Sequence, residues 1–322
     1  MSQQADPGRS SAVRRATTIV LPPIIKAVMK RDWHGREHIP RDGGVIIAPN
    51  HLSYADWAAV ALFTYEAGRY PFFLIKSSAF DVRLLGPFLR ACGQLPVHRD
   101  RADASLVVKE LKDAEASLRA GGCLIVYPEG TASRDPDLWP MVGKTGVARL
   151  ALTTGAPVIP VAHWGAQVIL PYGSTKPHLF PRHLVRMLAG PPVDLSAYQG
   201  KPLGREVLRA ATAAVMADIT GLLAQLRGKE PPAVPFDPAA ARRAKAGQDG
   251  QAGPPDSEVE PAGSQADPHS SQIDPRGGPA ESPGGQAESP GGQAQPLGGQ
   301  AQPSGSRTEP PGDGPSRKAA PT

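Results

Sequence analysis

The chain has 322 residues, of which 40% are hydrophobic and 20% are charged. Residues 231–322 hold 18 of the 37 prolines and 15 of the 35 glycines, but only five residues that are Ile, Leu, Val, Met, Phe, Trp, Tyr or Cys. Because so few apolar side chains cannot offset the entropy cost of ordering a backbone, this segment cannot be a second globular domain and is predicted to be a disordered tail rich in Pro, Gly and Gln. The first 230 residues carry 28 Lys and Arg against 19 Asp and Glu, a net charge of +9, which favours nucleic acid, anionic lipid or phosphorylated small molecules as partners.

The N-terminal segment, residues 1–32, is predicted to be amphipathic and to lie on a membrane surface. Ala12–Met29 mixes Arg14, Arg15 and Lys26 with Ile, Val and Leu, as helices at a bilayer interface do. The alternative is an ordinary helix packed on the core. No membrane-spanning segment is expected, because the longest uncharged stretch, residues 150–175, is interrupted by Gly and Pro.

Short apolar runs and longer helical patterns alternate after Trp33. Strands are predicted at Val45–Ala48, Pro71–Ile75, Leu124–Val126, Val158–Val161 and Val168–Leu170, and helices at Trp57–Tyr65, Ala104–Ala120, Gly146–Thr153 and Arg205–Leu226. This alternation predicts a layered α/β domain with a largely buried central sheet flanked by helices.

The sequence Asn50-His51-Leu52-Ser53-Tyr54-Ala55-Asp56 directly follows the first predicted strand. In a continuous helix, side chains five residues apart would point about 140° away from each other. His51 and Asp56 can meet if His51 lies in a turn before the helix and Asp56 in its first turn. The carboxylate would then fix the imidazole tautomer and leave the other ring nitrogen as a general base. The alternative is a helix-capping histidine beside an aspartate that interacts with the helix dipole.

The segment Gly93–Arg99 predicts a short strand that ends in a basic residue. Leu95 and Val97 alternate with Arg99, so Arg99 is expected at the strand end, where a guanidinium can offer two parallel hydrogen bonds to a phosphate. The alternative is a solvated surface arginine.

The segment Tyr127–Ser133 predicts a polar loop after another strand. Gly130 permits a tight turn, so Glu129 and Thr131 are expected at the sheet edge. Farther along the chain, Pro157–Val161 is an apolar strand between prolines, which is expected to form a wall of the site.

In this order, the four segments resemble the motifs of the glycerolipid acyltransferase family, of the 1-acylglycerol-3-phosphate acyltransferase type. That family has an Asn-His-x4-Asp block, a Gly-x-Leu/Ile-x-Val-x-Arg block, a Phe-Pro-Glu-Gly-Thr-Arg-Ser block and a Val-Ile-Pro-Val block. Counterparts of all four occur between Asn50 and Val161. The resemblance covers about Trp33 to Leu226, so residues 33–230 are expected to form an acyltransferase domain and residues 231–322 the tail.

The resemblance implies acyl transfer without a covalent acyl-enzyme. His51 would deprotonate the free hydroxyl of lysophosphatidic acid, which attacks an acyl thioester of coenzyme A or acyl carrier protein, and Asp56 would orient that histidine. Arg99 would contact the acceptor phosphate. Lys76 matches a lysine that the family often carries, and it would face the same phosphate or be a solvated lysine at a strand end. The loop residues expected to complete the acceptor site are Glu129, Gly130 and Thr131. No metal or other cofactor is implied.

One residue departs from the family pattern. Ala132 stands where the third block usually has arginine, which removes a charge-assisted contact worth roughly 1.5–3 kcal/mol. We expect Arg134 to reach the same phosphate, with Lys144 as the alternative. The departure also leaves open a different acceptor, another lysolipid or a glycolipid hydroxyl.

The resemblance and the basic charge together imply a peripheral enzyme on the cytoplasmic face of a membrane. Its expected partners are a lysophospholipid, acyl-CoA or acyl carrier protein, and an anionic membrane surface. Nucleic acid is not expected, because aromatic residues make up only 5% of the chain and no helix-turn-helix or zinc-ligand spacing occurs. A non-catalytic lipid-binding scaffold is the alternative of a different class, although a scaffold needs neither His51 nor Asp56.

Overall fold

The computed structural model describes residues 7–98, 104–174 and 176–249. The strands in these residues are β1 (Met29–His34), β2 (Val45–Pro49), β3 (Pro71–Lys76), β4 (Leu95–Val97), β5 (Cys123–Ile125), β6 (Val158–Trp164) and β7 (His183–Ala189). The helices are α1 (Pro7–Val28), α2 (Asp56–Glu66), α3 (Leu85–Ala91), α4 (Ala104–Arg119), α5 (Gly146–Thr154), α6 (Ala166–Ile169), α7 (Arg205–Arg227) and α8 (Pro238–Asp249).

The strands form one mixed sheet in the order β1-β7-β6-β2-β5-β3-β4. Strands β2 to β6 run parallel to one another, β7 is antiparallel to β6, and β1 is parallel to β7. The layered α/β fold predicted from the sequence is therefore confirmed. Because five parallel strands end at the same edge, the loops that follow them meet there, where α/β proteins usually carry their functional groups.

The central strands are buried on both faces, as their continuous apolar runs predict. Ile47 and Ile125 pack with Phe63 of α2 on one face. Ile46 and Leu124 point to the other face and pack against α4, α5 and α7. This alternation follows from the two-residue period of a strand. The sheet therefore lies between two layers of helices.

The sequence patterns predict neither β1 nor β7. β1 is an edge strand with exposed Lys30 and Arg31, and charged residues of this kind weaken the apolar pattern of an edge strand. The strand predicted at Val168–Leu170 is wrong, because the chain turns at Gly165 (φ 116°) and forms α6. A side chain at Gly165 would collide with the carbonyl oxygen of Leu184. Tertiary packing thus overrides the strand preference of β-branched residues here.

Helix α1 combines features of both interpretations of the N-terminal segment. Leu21 and Ile25 pack against the core. Ile19, Val20 and Ile24 remain 72%, 53% and 54% exposed. The helix therefore has a packed side and an exposed apolar row.

Two helices near the end of the described chain bear on membrane contact and on the tail. By length and composition, α7 is the one helix in the described ranges that could cross a membrane, but it packs on the sheet through Leu208, Val215 and Ile219. α8 follows residue 230, where the tail is predicted to begin. In the segment between α7 and α8, the Phe236 carbonyl accepts a hydrogen bond of 3.0 Å from the Val142 N–H. This bond connects residues 228–237 to the rest of the domain.

Candidate active site

His51 and Asp56 lie side by side at the sheet edge where β2 ends. The strand ends at Pro49, α2 begins at Asp56, and His51 lies in the loop between them. The His51 Nδ1 is 2.9 Å from the Asp56 Oδ2. The predicted pairing is therefore present, because the loop and the first helical turn replace the continuous helix that would separate the two side chains.

The carboxylate of Asp56 is fully buried and is held by several donors. The same Oδ2 accepts hydrogen bonds from the N–H groups of Leu52 (2.6 Å) and Ser53 (2.9 Å). Burial by itself raises the pKa of Asp56, but the charges and hydrogen bonds of His163 and His51 lower the pKa to about 2. Asp56 is therefore ionised at neutral pH and can hold the Nδ1–H tautomer of His51, which leaves Nε2 to accept a proton.

A second histidine, His163 on β6, lies against the same carboxylate. Its Nε2 is 3.4 Å from the Asp56 Oδ2 and 2.7 Å from the backbone oxygen of Asn50. The sequence patterns did not identify His163, because the Val-Ile-Pro-Val strand was expected only to form a wall of the site. The strand continues past Val161, and its two-residue period places His163 on the same face as Val161. That alternation is the signal that could have found it.

The loop after β5 supports the loop that carries His51. Glu129 is buried, and its two carboxylate oxygens accept hydrogen bonds from the N–H groups of His51 (2.8 Å) and Met141 (3.1 Å). The carbonyl oxygen of His51 accepts a hydrogen bond of 2.7 Å from the Ser133 N–H. Burial raises the pKa of Glu129 to about 8, although these N–H groups oppose the rise. Glu129 therefore holds the backbone at His51 in place.

The ring of Tyr127 packs against the imidazole of His51. The centroids of the Tyr127 and His51 rings are 4.4 Å apart, and the His51 side chain is only 13% exposed. One side of the imidazole is thus covered by an aromatic wall, which limits the directions from which a substrate hydroxyl can approach.

Basic side chains lie on the loops around this pair. Lys76 is the last residue of β3, and the registers of β2, β5 and β3 place it level with Asn50, two strand spacings or roughly 10 Å away. Arg134 is exposed on the loop after β5, and Thr131 on that loop is half-buried. Arg99, which is predicted to bind the phosphate, lies outside the described residues.

Lys144 lies directly over the glycine of the third motif. A Cβ built on Gly130, whose φ is 70°, would be 2.6 Å from the Lys144 Nζ. The Lys144 N–H also donates to the Pro128 carbonyl at 2.8 Å. Ala132, in contrast, is buried. An ammonium group therefore occupies the open side of the turn, while the position of the expected family arginine holds only a methyl group.

The described residues form one cavity next to Lys76 and a larger one away from the His51–Asp56 pair. One of about 230 Å³ borders the end of β3 and β4, next to Lys76, and is lined in part by Ser77, Arg90 and His98. The other, about 430 Å³, follows β1 on the side of α2 and does not include the His51–Asp56 pair. Its lining residues are Lys30, Arg31, Trp33, Arg36, Glu66 and Arg182.

Comparisons with known proteins point to one family. Residues 30–164 match the family model described as Acyltransferase. The chain is 31% identical over 147 residues to the chloroplastic 1-acyl-sn-glycerol-3-phosphate acyltransferase BAT2 of Brassica napus, which covers 45% of this chain and 40% of that protein. It is 26% identical over 186 residues to the 1-acyl-sn-glycerol-3-phosphate acyltransferase of Bacillus subtilis, with 56% and 82% covered. The match thus spans about two fifths of the plant relative and most of the bacterial one.

The fold is also similar to a solved structure. The crystal structure of the 1-acyl-sn-glycerophosphate acyltransferase PlsC from Thermotoga maritima aligns with a TM-score of 0.53 and 23% identity, over 71% of this chain and 86% of that one. At this identity the likeness concerns the fold alone. It agrees with the mixed, helix-flanked sheet described above.

Proposed function

We propose that this chain is an acyltransferase, which moves a fatty acyl group from an acyl thioester to the free hydroxyl of lysophosphatidic acid, giving phosphatidic acid. The donor is an acyl thioester of coenzyme A or of acyl carrier protein. The acceptor oxygen forms a bond to the thioester carbonyl carbon, the carbon–sulfur bond breaks, and the thiol leaves with the proton that the acceptor has lost.

The observation that carries this proposal is the His51–Asp56 pair. The 2.9 Å contact between Nδ1 and Oδ2 favours the tautomer in which Nε2 accepts the hydroxyl proton. The ionised Asp56 then stabilises the imidazolium that forms, as the acid does in other histidine–carboxylate pairs. Because a thioester is already activated, the reaction needs no nucleophilic side chain, and His51 can return its proton to the leaving thiolate.

A thioester-release assay with lysophosphatidic acid tests the role of His51. General-base catalysis contributes on the order of 10² to 10⁴ in rate, so His51→Ala is expected to lower kcat by that factor. His34→Ala is the matched control, because His34 also pairs with an aspartate, Asp32, but is 68% exposed. Full activity of His51→Ala would exclude general-base catalysis by this residue and would favour a different mechanism or a lipid-binding scaffold.

We further propose that cations on the loops around His51 bind the phosphate of the acceptor. Lys144 has the strongest support, since its ammonium lies over Gly130 in the turn that adjoins the His51 loop. Lys76 lies at the same sheet edge, Arg134 is exposed on the loop after β5, and Arg99 is included on the family resemblance alone. A charge-assisted hydrogen bond from Lys144 would replace the contact that Ala132 cannot make.

Ala132 also favours a second candidate acceptor. Because this buried position lacks the arginine of the family motif, the site has one phosphate contact fewer and is open to another lysolipid or to a glycolipid hydroxyl. Parallel assays of lysophosphatidic acid and neutral hydroxylated lipids with one thioester donor separate the two candidates. A higher kcat/KM with a neutral lipid would favour the second.

We propose that the enzyme works as a peripheral protein on the cytoplasmic face of a membrane. The exposed apolar row of α1, Ile19, Val20 and Ile24, supports membrane contact. Sedimentation with vesicles of phosphatidylcholine, with and without phosphatidic acid, tests this. Ile24→Asp should weaken binding, whereas Val234→Asp, at an 80% exposed position between α7 and α8, should not. Equal binding by both variants would argue against contact through α1.

A further inference from the structure

Two imidazoles flank the single carboxylate of Asp56, and the reaction needs only one. We propose that His163 is a positioning residue of the reaction, which anchors the turn that carries His51 and competes with His51 for the negative charge of Asp56. This inference rests on the proposed function, because it concerns the base that deprotonates the acceptor. It assigns a role to a residue that lies outside the four motifs.

The anchoring role rests on the contacts between His163 and Asn50, the residue directly before His51. The His163 N–H donates to the Asn50 Oδ1 at 2.8 Å, and the Asn50 Nδ2 donates to the His163 carbonyl at 3.1 Å. The His163 Nε2 lies 2.7 Å from the Asn50 carbonyl oxygen and can donate to it. The Asn50 N–H also donates to the Val161 carbonyl at 3.3 Å. These bonds fix the end of β2 against β6, and with it the backbone at His51.

The competition for charge rests on the position of Asp56 between the two rings. The Asp56 Oδ2 lies 2.9 Å from the His51 Nδ1 and 3.4 Å from the His163 Nε2. Burial lowers the pKa of His163, but the charge and hydrogen bond of Asp56 outweigh burial and raise the pKa above its ordinary value. A proton on His163 would therefore be stabilised by Asp56. The buried Nδ1 of His163, which has no hydrogen-bond partner among the described residues, opposes that proton, because a charged imidazole must donate from both nitrogens.

The other groups around His163 do not cancel this coupling. Among the described residues, Asp56 and Glu129 act on the charge of His163, and His51 and Tyr127 interact with Asp56. Its partner on β7 is Met187, and α6, the helix that follows, contains no charged residue. Lys26 of α1 pairs with Glu66 at the far end of α2. Arg227 of α7 stacks on Trp164, whose side chain points to the opposite face of β6 because neighbouring residues of a strand alternate.

The test is the pH profile of kcat/KM for His163→Gln, measured by thiol release with lysophosphatidic acid. Gln keeps an N–H donor for the Asn50 carbonyl but cannot carry a positive charge. Without that charge, His51 faces the full negative charge of Asp56, which stabilises the imidazolium, so the acid limb of the profile moves to higher pH. The His51 Nδ1 and the His163 Nε2 lie 2.9 and 3.4 Å from the same Asp56 oxygen, and two charges roughly 6 Å apart at an effective dielectric constant of about 20 imply a shift of about two pH units. His34→Gln is the control, and its acid limb is expected to coincide with that of the wild type.

An acid limb of His163→Gln within 0.2 pH units of the wild type would overturn the competition for charge. If His163→Gln does not fold, imidazole NMR signals of the wild type during a pH titration provide the second measurement. The expected result is a His51 titration curve with two steps, one of which coincides with the titration of His163. A single-step curve for His51 would overturn the inference. A wild-type protein that releases no thiol with any lysolipid refutes the proposed function instead, and the NMR titration still decides the coupling.

Discussion

The replacement of Asp56 by Asn removes one charge and leaves the hydrogen-bond geometry in place. The N–H groups of Leu52 and Ser53 and the His51 Nδ1 all point to the Oδ2 of Asp56. The side-chain oxygen of Asn must therefore occupy the Oδ2 position, since an NH₂ group there would face two backbone donors. His51 keeps its tautomer. The amide NH₂ takes the place of the buried Oδ1, which has no hydrogen-bond partner among the described residues, so the variant combines the loss of charge with an unpaired donor.

The size of this loss follows from the stabilisation of the carboxylate. The pKa of Asp56 is lowered from 3.8 to about 2, and one pKa unit corresponds to about 1.4 kcal/mol, so the charge interactions are worth roughly 2 kcal/mol beyond the cost of burial. His163 shares this energy with His51. We therefore expect kcat/KM of Asp56→Asn to fall about 10- to 100-fold, and the acid limb of the pH profile to move to lower pH, because His51 without its anion is less basic.

The assay is thiol release with lysophosphatidic acid over a range of pH, with Asp32→Asn as the control. Asp32 pairs with His34 at 2.8 Å, and both side chains are exposed, so that variant should keep wild-type activity. A thermal unfolding curve checks that Asp56→Asn is folded. Wild-type kcat/KM with an unmoved acid limb in folded Asp56→Asn would refute the role given to the carboxylate.

Three further predictions concern the loop after β5. Lys144→Ala should raise the KM for lysophosphatidic acid roughly tenfold, as expected for a lost charge-assisted hydrogen bond, and an unchanged KM in Arg134→Ala would remove Arg134 from the acceptor site. Gly130→Ala should lower activity more than Gly43→Ala, because both glycines have φ near 70° but only Gly130 has Lys144 in the space of the new methyl group; equal activities would contradict this. The raised pKa of Glu129, about 8 against an ordinary 4.5, means that the folded state keeps a proton that the unfolded chain releases. The free energy of unfolding in urea should therefore fall as pH rises from about 4.5 to 8, and Glu129→Gln should flatten that slope; an unchanged slope would show that another group causes it.

The sequence determined the local features of this protein because they depend on residues close together in the chain. The apolar runs Val45–Ala48 and Leu124–Val126 identified two central strands. Helical spacing identified α2, α4, α5 and α7. The five-residue separation of His51 and Asp56 showed that they can meet if His51 lies in a turn and Asp56 in the first turn of a helix, because that geometry is local.

The tertiary structure alone decided how these local pieces meet. The hydrogen bond from the His51 N–H to Glu129 requires β5 to lie beside β2, and the contact of His163 with Asp56 requires β6 on the other side of β2. The two-residue period of a strand shows which side chains share a face, but it carries no information about which strand is the neighbour. For the same reason the sequence favoured Arg134, two residues along the chain from Ala132, over Lys144 as the cation for the acceptor phosphate, whereas only the fold shows that Lys144 lies over the turn at Gly130.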